Sequence, residues 1–344
     1  VLFVVGINGA PLRYRVHLAV EALAADGVAA EVRHYRDASI ADLAMRADAV
    51  VVYRVPATTE VDAVVRRLKA ERPHVPVVFD VDDLIFDPTL RGSVPGLRSL
   101  TPEAEELWWR GVARYRTTME MADLFVGSTA PLCAEAARVT GLPTRQFRNG
   151  VGRAVITVSD RHLARPRRRG PLRIGYFSGT TTHDADWAMV EPAIVQVMQE
   201  RPDVQLWLGG TLRTTAALDP VRRRVRRLPM MPWQSLLRTL RDVDVNLAPL
   251  VEGSVFNEAK SAIKWLEAAM VQTPTVASPT QPFVEAVEHG RTGYLASTTE
   301  EWVDAVGRLL DDELERVRIG TQARREALLT LSPHVQGRVY RQIL

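Results

Sequence analysis

Short apolar runs alternate with helix-like stretches from one end of the chain to the other, and this rhythm restricts the fold more than any other feature. VLFVV, AEVRHY, AVVVYR and VPVVFDV are of strand length, and the segments near 12–26, 39–46 and 58–71 carry helical spacing. Such a βαβ alternation predicts a parallel sheet with helices on both faces. The long helical pattern TPEAEELWWRGVARYRTTMEMA, then DLFVGST, another helix and TRQFRNG close the series. Residues 159–171 are rich in Arg and Pro, lack periodicity and read as linker. The rhythm restarts with LRIGYFSG, VQLWLGG, VDVNLAPL, TPTVAS and TGYLAS, interleaved with helices near 185–200, 233–242 and 299–311. The expected architecture is α/β: two doubly wound, Rossmann-like domains, residues 1–152 and 172–330, joined by 153–171, with a cleft between them. The final run, 331–344, is expected to pack back on the first domain.

At 344 residues and 46% apolar content the chain can fill two cores. Cys133 is its single cysteine, which rules out an internal disulfide and suits a reducing compartment. No run approaches the roughly 20 apolar residues of a membrane span, and VLFVV is too short for a signal peptide. A cytoplasmic location is expected, extending to the inner face of a membrane. The chain starts at Val1 without a methionine and stops within a helical pattern, which suggests a segment of a larger multidomain protein. Arginines cluster in RHLARPRRRGPLR (161–173) and VRRRVRRLP (221–229). Such runs suit nucleic acid or an anionic membrane. No helix-turn-helix, zinc-finger or RNP pattern accompanies them, so they read as a solvated basic surface with no nucleic-acid partner.

Four segments carry candidate chemistry. GINGAPLRYR (6–15) follows the first strand, and its glycines, Gly9 included, allow a backbone to approach a phosphate or sugar. G-x-x-G in place of G-x-G-x-x-G argues against a nicotinamide enzyme. Arg13 and Arg15 there are either acceptor contacts or exposed arginines of a tight turn. FDVDDLIFD (79–87) sets Asp80, Asp82, Asp83 and Asp87 at the end of an internal strand, where desolvated carboxylates need a metal, a cation or substrate hydroxyls; capping and an arginine partner are the alternative. YFSGTTTHDAD (176–186) offers Gly179, Thr180, Thr181 and Thr182 as a phosphate or sugar cradle, with His183 within reach of the cleft. Thr182 or Asp184 acting only as a helix cap is equally open. FNEAKSAIKWLEAAM (256–270) projects as one amphipathic helix with Lys260, Lys264 and Glu267 on a polar stripe. A cation at a helix N-terminus is disfavoured by roughly 0.3–1 kcal/mol unless an anion joins it. The amides of Ser261 and Ala262 would point at the same anion, and Glu267, further along, suits a vicinal diol such as ribose. A nucleoside diphosphate fits that stripe; the alternative is a solvated Lys264–Glu267 pair.

The order FDVDDLIFD, RNGVG, IGYFSGTTTHDADW and APL…FNEAKSAIKWLEAA…TPTVAS resembles the retaining GT-B glycosyltransferases of family 4, in particular a bacterial branch associated with surface-polysaccharide assembly. The likeness spans nearly the whole chain, and FN-x-x-KS-x-x-K-x-x-E is its most specific part. It implies an N-terminal acceptor domain, a C-terminal nucleotide-sugar domain and a metal-independent, retaining hexosyltransferase. The expected reaction moves a hexose or deoxyhexose, such as rhamnose or mannose, onto a growing cell-surface glycan of O-antigen type. The implied partners are a nucleoside-diphosphate sugar as donor and a glycan or lipid-linked glycan as acceptor, with peripheral membrane contact admitted. No cofactor beyond the donor and no bound metal are implied. Lys260 would stabilise the diphosphate, and Asn257, Ser261 and Lys264 would join the donor site. Asp82 or Asp83 would hold acceptor or sugar hydroxyls.

Two departures stand out. The family's E-x7-E would begin at 259, which is Ala259, so only Glu267 carries over, as the expected ribose ligand, and Glu258 is one residue out of register. The Arg and Lys that many members place after the first donor-domain strand are replaced by SGTTTH, leaving Lys260 and Lys264 to supply the charge. The rival readings are a sugar-nucleotide epimerase of the same fold and a non-catalytic glycan-binding module of a larger protein.

Overall fold

The computed structural model describes residues 1–94, 96–97, 100–168, 170–179 and 183–344. The first parallel sheet contains β1 (Leu2–Val5), β2 (Glu31–His34), β3 (Val50–Tyr53), β4 (Val77–Val81), β5 (Leu124–Gly127) and β6 (Thr144–Gln146), in the order β2-β1-β3-β4-β5-β6. The second contains β7 (Arg173–Ser178), β8 (Gln205–Gly210), β9 (Val225–Leu228), β10 (Val245–Ala248), β11 (Thr275–Ala277) and β12 (Tyr294–Leu295), in the order β12-β11-β10-β7-β8-β9. Every position of β1, β3, β4 and β10 is buried. Helices cover both faces of each sheet, which is why these strands read as nearly continuous apolar runs instead of alternating ones. Phe79 and Phe125 pack under one face of the first sheet, Phe3 and Tyr53 under the other. Trp187 and Leu206 do so on one side of the second sheet, and Trp265 and Phe283 on the other. The architecture is the two-domain α/β one read from the sequence.

The helix Pro333–Ile343 lies on Val16–Ala25 of the first domain. A Cβ on Gly337 would stand 2.8 Å from the Ala22 carbonyl, so glycine sets the approach. Tyr340 is buried edge-on against Phe147, with ring centroids 4.6 Å apart.

Three segments differ from the expectation. Residues 153–171 are not all linker: Arg153–Leu163 is a helix whose Val155 and Ser159 are buried, and it packs on the helix Trp233–Arg241. The run VRRRVRRLP contains β9, an edge strand whose arginines point outward. FNEAKSAIKWLEAAM is not one helix. A short turn, Val255–Glu258, is followed by a break, and the regular helix starts at Ile263 and ends at Met270.

Candidate functional site

In a doubly wound sheet, neighbouring strands whose connections leave in opposite directions open a crevice at their carboxyl ends. Here those crevices lie between β1 and β3 and between β7 and β10, and the two face each other. A cavity of about 380 Å³ fills the space between the domains, with Asp82, Asp83, His183, Lys260, Lys264 and Glu267 in its wall. The loops after β1, β4, β7 and β10 supply the polar groups. Toward β8 and β9 the wall turns apolar, with Gly209, Gly210, Pro229, Met230 and Leu236. Gly210 has φ +91°, and a Cβ there would fall 1.8 Å from the Ser178 carbonyl, so the wall can be this close only with glycine.

The break before Ile263 places Lys260. Thr129, which opens the helix Ala130–Thr140 in the first domain, donates its hydroxyl to the Ala259 carbonyl at 2.8 Å. Asn149 donates to the Ser261 hydroxyl at 2.9 Å. These two cross-domain bonds hold 259–261 outside the helix. The free amides at the helix start therefore belong to the turn beginning at Ile263, not to Ser261 and Ala262 as the continuous helix implied.

Lys260 reaches the buried Asp186 at 3.7 Å and lies over the Phe256 ring. Asp186 also takes the His183 Nδ1 at 2.8 Å, the Val251 amide at 2.9 Å and the Asn257 amide at 3.1 Å. Burial alone would raise its pKa, but His183, Lys260 and the Val251 amide bring it below the usual carboxylate range. Burial, with Lys264 and Lys260 nearby, pushes His183 down to about 4, so the ring is neutral and donates to Asp186 from Nδ1. Its other nitrogen is then a hydrogen-bond acceptor. Lys264 donates to the Phe177 carbonyl at 2.5 Å, and burial lowers its pKa to about 8. Glu267 is pushed up by burial, against Tyr14 and Lys264, and accepts the Tyr14 hydroxyl from the first domain. The solvated Lys264–Glu267 pair is thus absent from this arrangement: both groups are directed at other partners.

Opposite these groups, Arg54 pairs with Asp82 at 2.6 Å and with Asp83, and the Tyr53 hydroxyl donates to Asp82 at 2.8 Å. The Arg54 backbone sits at φ +49°, an unusual conformation for a side-chain-bearing residue. A Cβ at Gly6 would fall 1.8 Å from its carbonyl. The strained turn aims the guanidinium back at the two carboxylates. Among the described residues, no three His, Cys, Asp or Glu side chains gather closely enough to hold a metal ion.

Several candidates lie elsewhere. Arg15 is not an exposed acceptor contact. It is buried, binds Asp80 at 2.8 and 2.9 Å, and also donates to the Phe147 carbonyl. Asp80 is consumed by that pair, and Asp87 caps the turn at Thr89 and meets Arg138. Asn257 is buried, with its amide on Asp186 and the Val251 carbonyl, so it orders the loop instead of facing the cavity. Glu258 accepts the Gln281 amide at 2.9 Å, outside the cleft wall. Arg13 crosses the cleft edge to lie 4.2 Å over the Trp233 ring of the second domain. Gly9 is exposed beside Ala10 and Pro11, which line the cavity; Gly179 lines it directly. Thr180, Thr181 and Thr182 fall outside the described residues.

The sequence reading missed Tyr14, Arg54 and Asp186. Tyr14 and Asp186 stood in quoted segments, within GINGAPLRYR and HDAD. What makes them site residues is a partner in the other domain or dozens of residues away.

Residues 173–312 match the family model described as Glycosyl transferases group 1. A D-inositol 3-phosphate glycosyltransferase of Corynebacterium jeikeium is 29% identical over 223 residues, 60% of this chain and 51% of that protein. That of Corynebacterium glutamicum is 32% identical over 115 residues, 33% of this chain and 26% of the relative. The chain thus spans about half or less of the length of the curated relatives it matches. Among solved structures, HepE of Anabaena in complex with UDP superposes with a TM-score of 0.61 at 14% identity, covering 99% of this chain and 97% of that one. Sucrose-phosphate synthase of Thermosynechococcus elongatus gives 0.63 at 14% identity, covering 99% and 98%. At such identity the structural likeness is one of fold, and the fold is GT-B.

Proposed function

We propose that the protein is a group 1 glycosyltransferase that takes a sugar from a nucleoside diphosphate bound to its second domain and passes it to an acceptor hydroxyl presented by its first. One observation carries this reading: two lysines, a carboxylate and a neutral histidine of the second domain line the same cavity as Asp82 and Asp83 of the first. The match of 173–312 to the group 1 family supports it, as do the UDP and UDP-glucose held by the Anabaena structures of the same fold.

In this reading Lys260 and Lys264 neutralise the diphosphate with help from the amides that open the helix at Ile263. Glu267 takes the ribose hydroxyls, exchanging the Tyr14 hydroxyl for them, and the apolar end near Met230 and Gly210 receives the base. His183 accepts a hydroxyl of the transferred sugar. Asp82 and Asp83, held by Arg54, orient the acceptor. The finer assignment is retention of the anomeric configuration, with the leaving diphosphate taking the acceptor proton. The donor sugar is a hexose or deoxyhexose and the acceptor a growing bacterial cell-surface glycan, lipid-linked or free.

The same geometry supports a reaction without a metal ion. A cation at Asp82 and Asp83 would have to displace Arg54, and the diphosphate would lie nearer the lysines. Slow hydrolysis of the donor in EDTA is therefore expected, releasing nucleoside diphosphate and a sugar that first appears in the donor's own anomeric form by NMR. Conversion of the donor to an epimeric nucleotide sugar would overturn the transferase reading; loss of activity in EDTA, restored by Mn²⁺, would overturn the division of roles between the domains.

The pKa of Lys264 adds a pH dependence. Its cationic form binds the diphosphate, and the free cleft holds that form only below about 8. Bound diphosphate stabilises the charge, so affinity should be level from mildly acidic pH to neutrality. Above about 8 it should fall by up to about tenfold per pH unit. Calorimetric titration across that range measures it, and in Lys264→Met the fall should vanish.

A further inference from the structure

The two arginine runs, far apart in sequence, meet at one end of the second domain. Arg173 opens β7, and the turn Ala216–Arg224 leads into β9 at the same edge of the sheet, where the strands begin. Arg168 and Arg173 of the first run line one hollow of about 300 Å³ together with Arg223, Arg224 and Arg226 of the second. An adjoining hollow of about 510 Å³ adds Arg167, Arg241 and Arg316, against the carboxylates of Asp242, Asp244 and Glu313. Eight arginines thus face three carboxylates on a chain whose formal net charge is only +3.

Part of this charge is structural. Arg224 caps the Met198 and Val204 carbonyls, and Arg316 caps Leu309 and Leu310. Arg173 and Arg241 are partly used as well, on the Asp242 and Val271 carbonyls. Arg173 and Arg226 lie over the Trp207 ring, at 4.4 and 4.8 Å. The Nε atoms of Arg173 and Arg241 are buried with no acceptor among the described residues. Arg168 and Arg223 are exposed, with no hydrogen bond or ion pair among the described residues.

Beside the arginines the surface is apolar where it should be polar. Leu314 is 82% exposed and Val317 53%, three residues apart on the first turns of the helix Glu313–Leu331, and Val317 borders the larger hollow. Val317 stands at the rim of the arginines, and Leu314 stands one turn earlier between Glu313 and Glu315; apolar side chains bordering a basic face fit a lipid interface, with cations on headgroup phosphates and apolar side chains at the acyl boundary. They have no counterpart on a nucleic-acid backbone, whose contacts are charged and polar.

We propose that this end of the second domain docks on an anionic membrane surface. The site is separate from the cleft and does not depend on the reading of the cleft. β7 runs from Arg173 at the basic end to Ser178 at the cleft, so a docked protein holds the cleft roughly 20 Å from the headgroups. An acceptor has to reach that far.

The test is co-sedimentation of the whole chain with vesicles of phosphatidylcholine alone and of phosphatidylcholine mixed with phosphatidylglycerol. Binding is expected only to the mixed vesicles, weakening as salt rises. Each arginine near an anionic leaflet contributes roughly a fivefold gain in partitioning. Arg168→Gln combined with Arg223→Gln should therefore lower it by about 30-fold, with an unchanged melting temperature because both side chains are exposed. Leu314→Gln should weaken the binding that survives at high salt. Failure to bind mixed vesicles, equal binding to neutral ones, or full binding by the double variant would overturn the proposal. So would displacement from the vesicles by duplex DNA with no effect of Leu314→Gln, which would assign the face to nucleic acid.

Discussion

Lys260→Ala is expected to lower turnover by about 100-fold or more while leaving the fold intact, the usual consequence of deleting one group that stabilises charge in a transition state. Lys260 is the cation at the junction of the domains: its ammonium lies 3.7 Å from Asp186, and its segment is pinned by Thr129 of the first domain. In the proposed reaction negative charge grows on the diphosphate as the sugar leaves, and a partly desolvated ammonium would meet it more strongly than a solvated one. Desolvation also lowers the Lys260 pKa, with Asp186 and Asp83 opposing that shift. Removing the side chain leaves Asp186 held by His183, Val251 and Asn257, so the loop stays ordered and the loss falls on catalysis. Measuring kcat and KM separately distinguishes the cases: a loss mainly in kcat marks a transition-state role. Wild-type turnover in this variant would remove Lys260 from the mechanism.

Asp80→Ala is expected to act on stability, by about 3–5 kcal/mol, because it leaves the Arg15 guanidinium buried without its carboxylate. Arg15 is 1% exposed and meets Asp80 through Nε and Nη2. Remaining contacts to the Phe147 carbonyl and Asn149 cannot neutralise it. Replacing both partners with apolar residues, Arg15→Met with Asp80→Leu, should recover much of the loss, since two buried charges are then removed together. The double variant should also bind nucleotide normally, as neither residue lines the cavity. Chemical denaturation of the three proteins tests this. A stable Asp80→Ala protein without nucleotide binding would return Asp80 to the site.

The domain pattern was legible because it is local. Apolar runs such as VVFDV and FSG-terminated LRIGY announce strands by their own composition, and burial on both faces keeps them apolar. That Asp82, Asp83, His183, Lys260, Lys264 and Glu267 line one cavity was legible for a related reason. The loops and helix starts that follow β4, β7 and β10 lie at the carboxyl ends of the strands, where the crevice opens.

What stayed hidden was pairing across sequence. Arg13 and Arg15 are two residues apart in one motif, yet one stacks on Trp233 of the other domain and the other is buried on Asp80. The spacing of 256–270 supports an unbroken helix, and only the bonds from Thr129 and Asn149 to Ala259 and Ser261 explain the break. β9 was hidden for the opposite reason: an edge strand with arginines facing water carries no apolar run to announce it.

In the proposed reaction the cavity between the domains is a nucleoside-diphosphate site governed by Lys260. Thermal unfolding of the wild-type chain and of Lys260→Ala, each with UDP, GDP, dTDP and CMP in turn, tests it most directly. One diphosphate at about 100 times its dissociation constant should stabilise the wild type by roughly 2.7 kcal/mol. The same concentration should stabilise Lys260→Ala clearly less, and CMP should do little for either. No stabilisation of the wild type by any diphosphate would remove the nucleotide from the cavity, and equal stabilisation of both proteins would remove Lys260 from its binding.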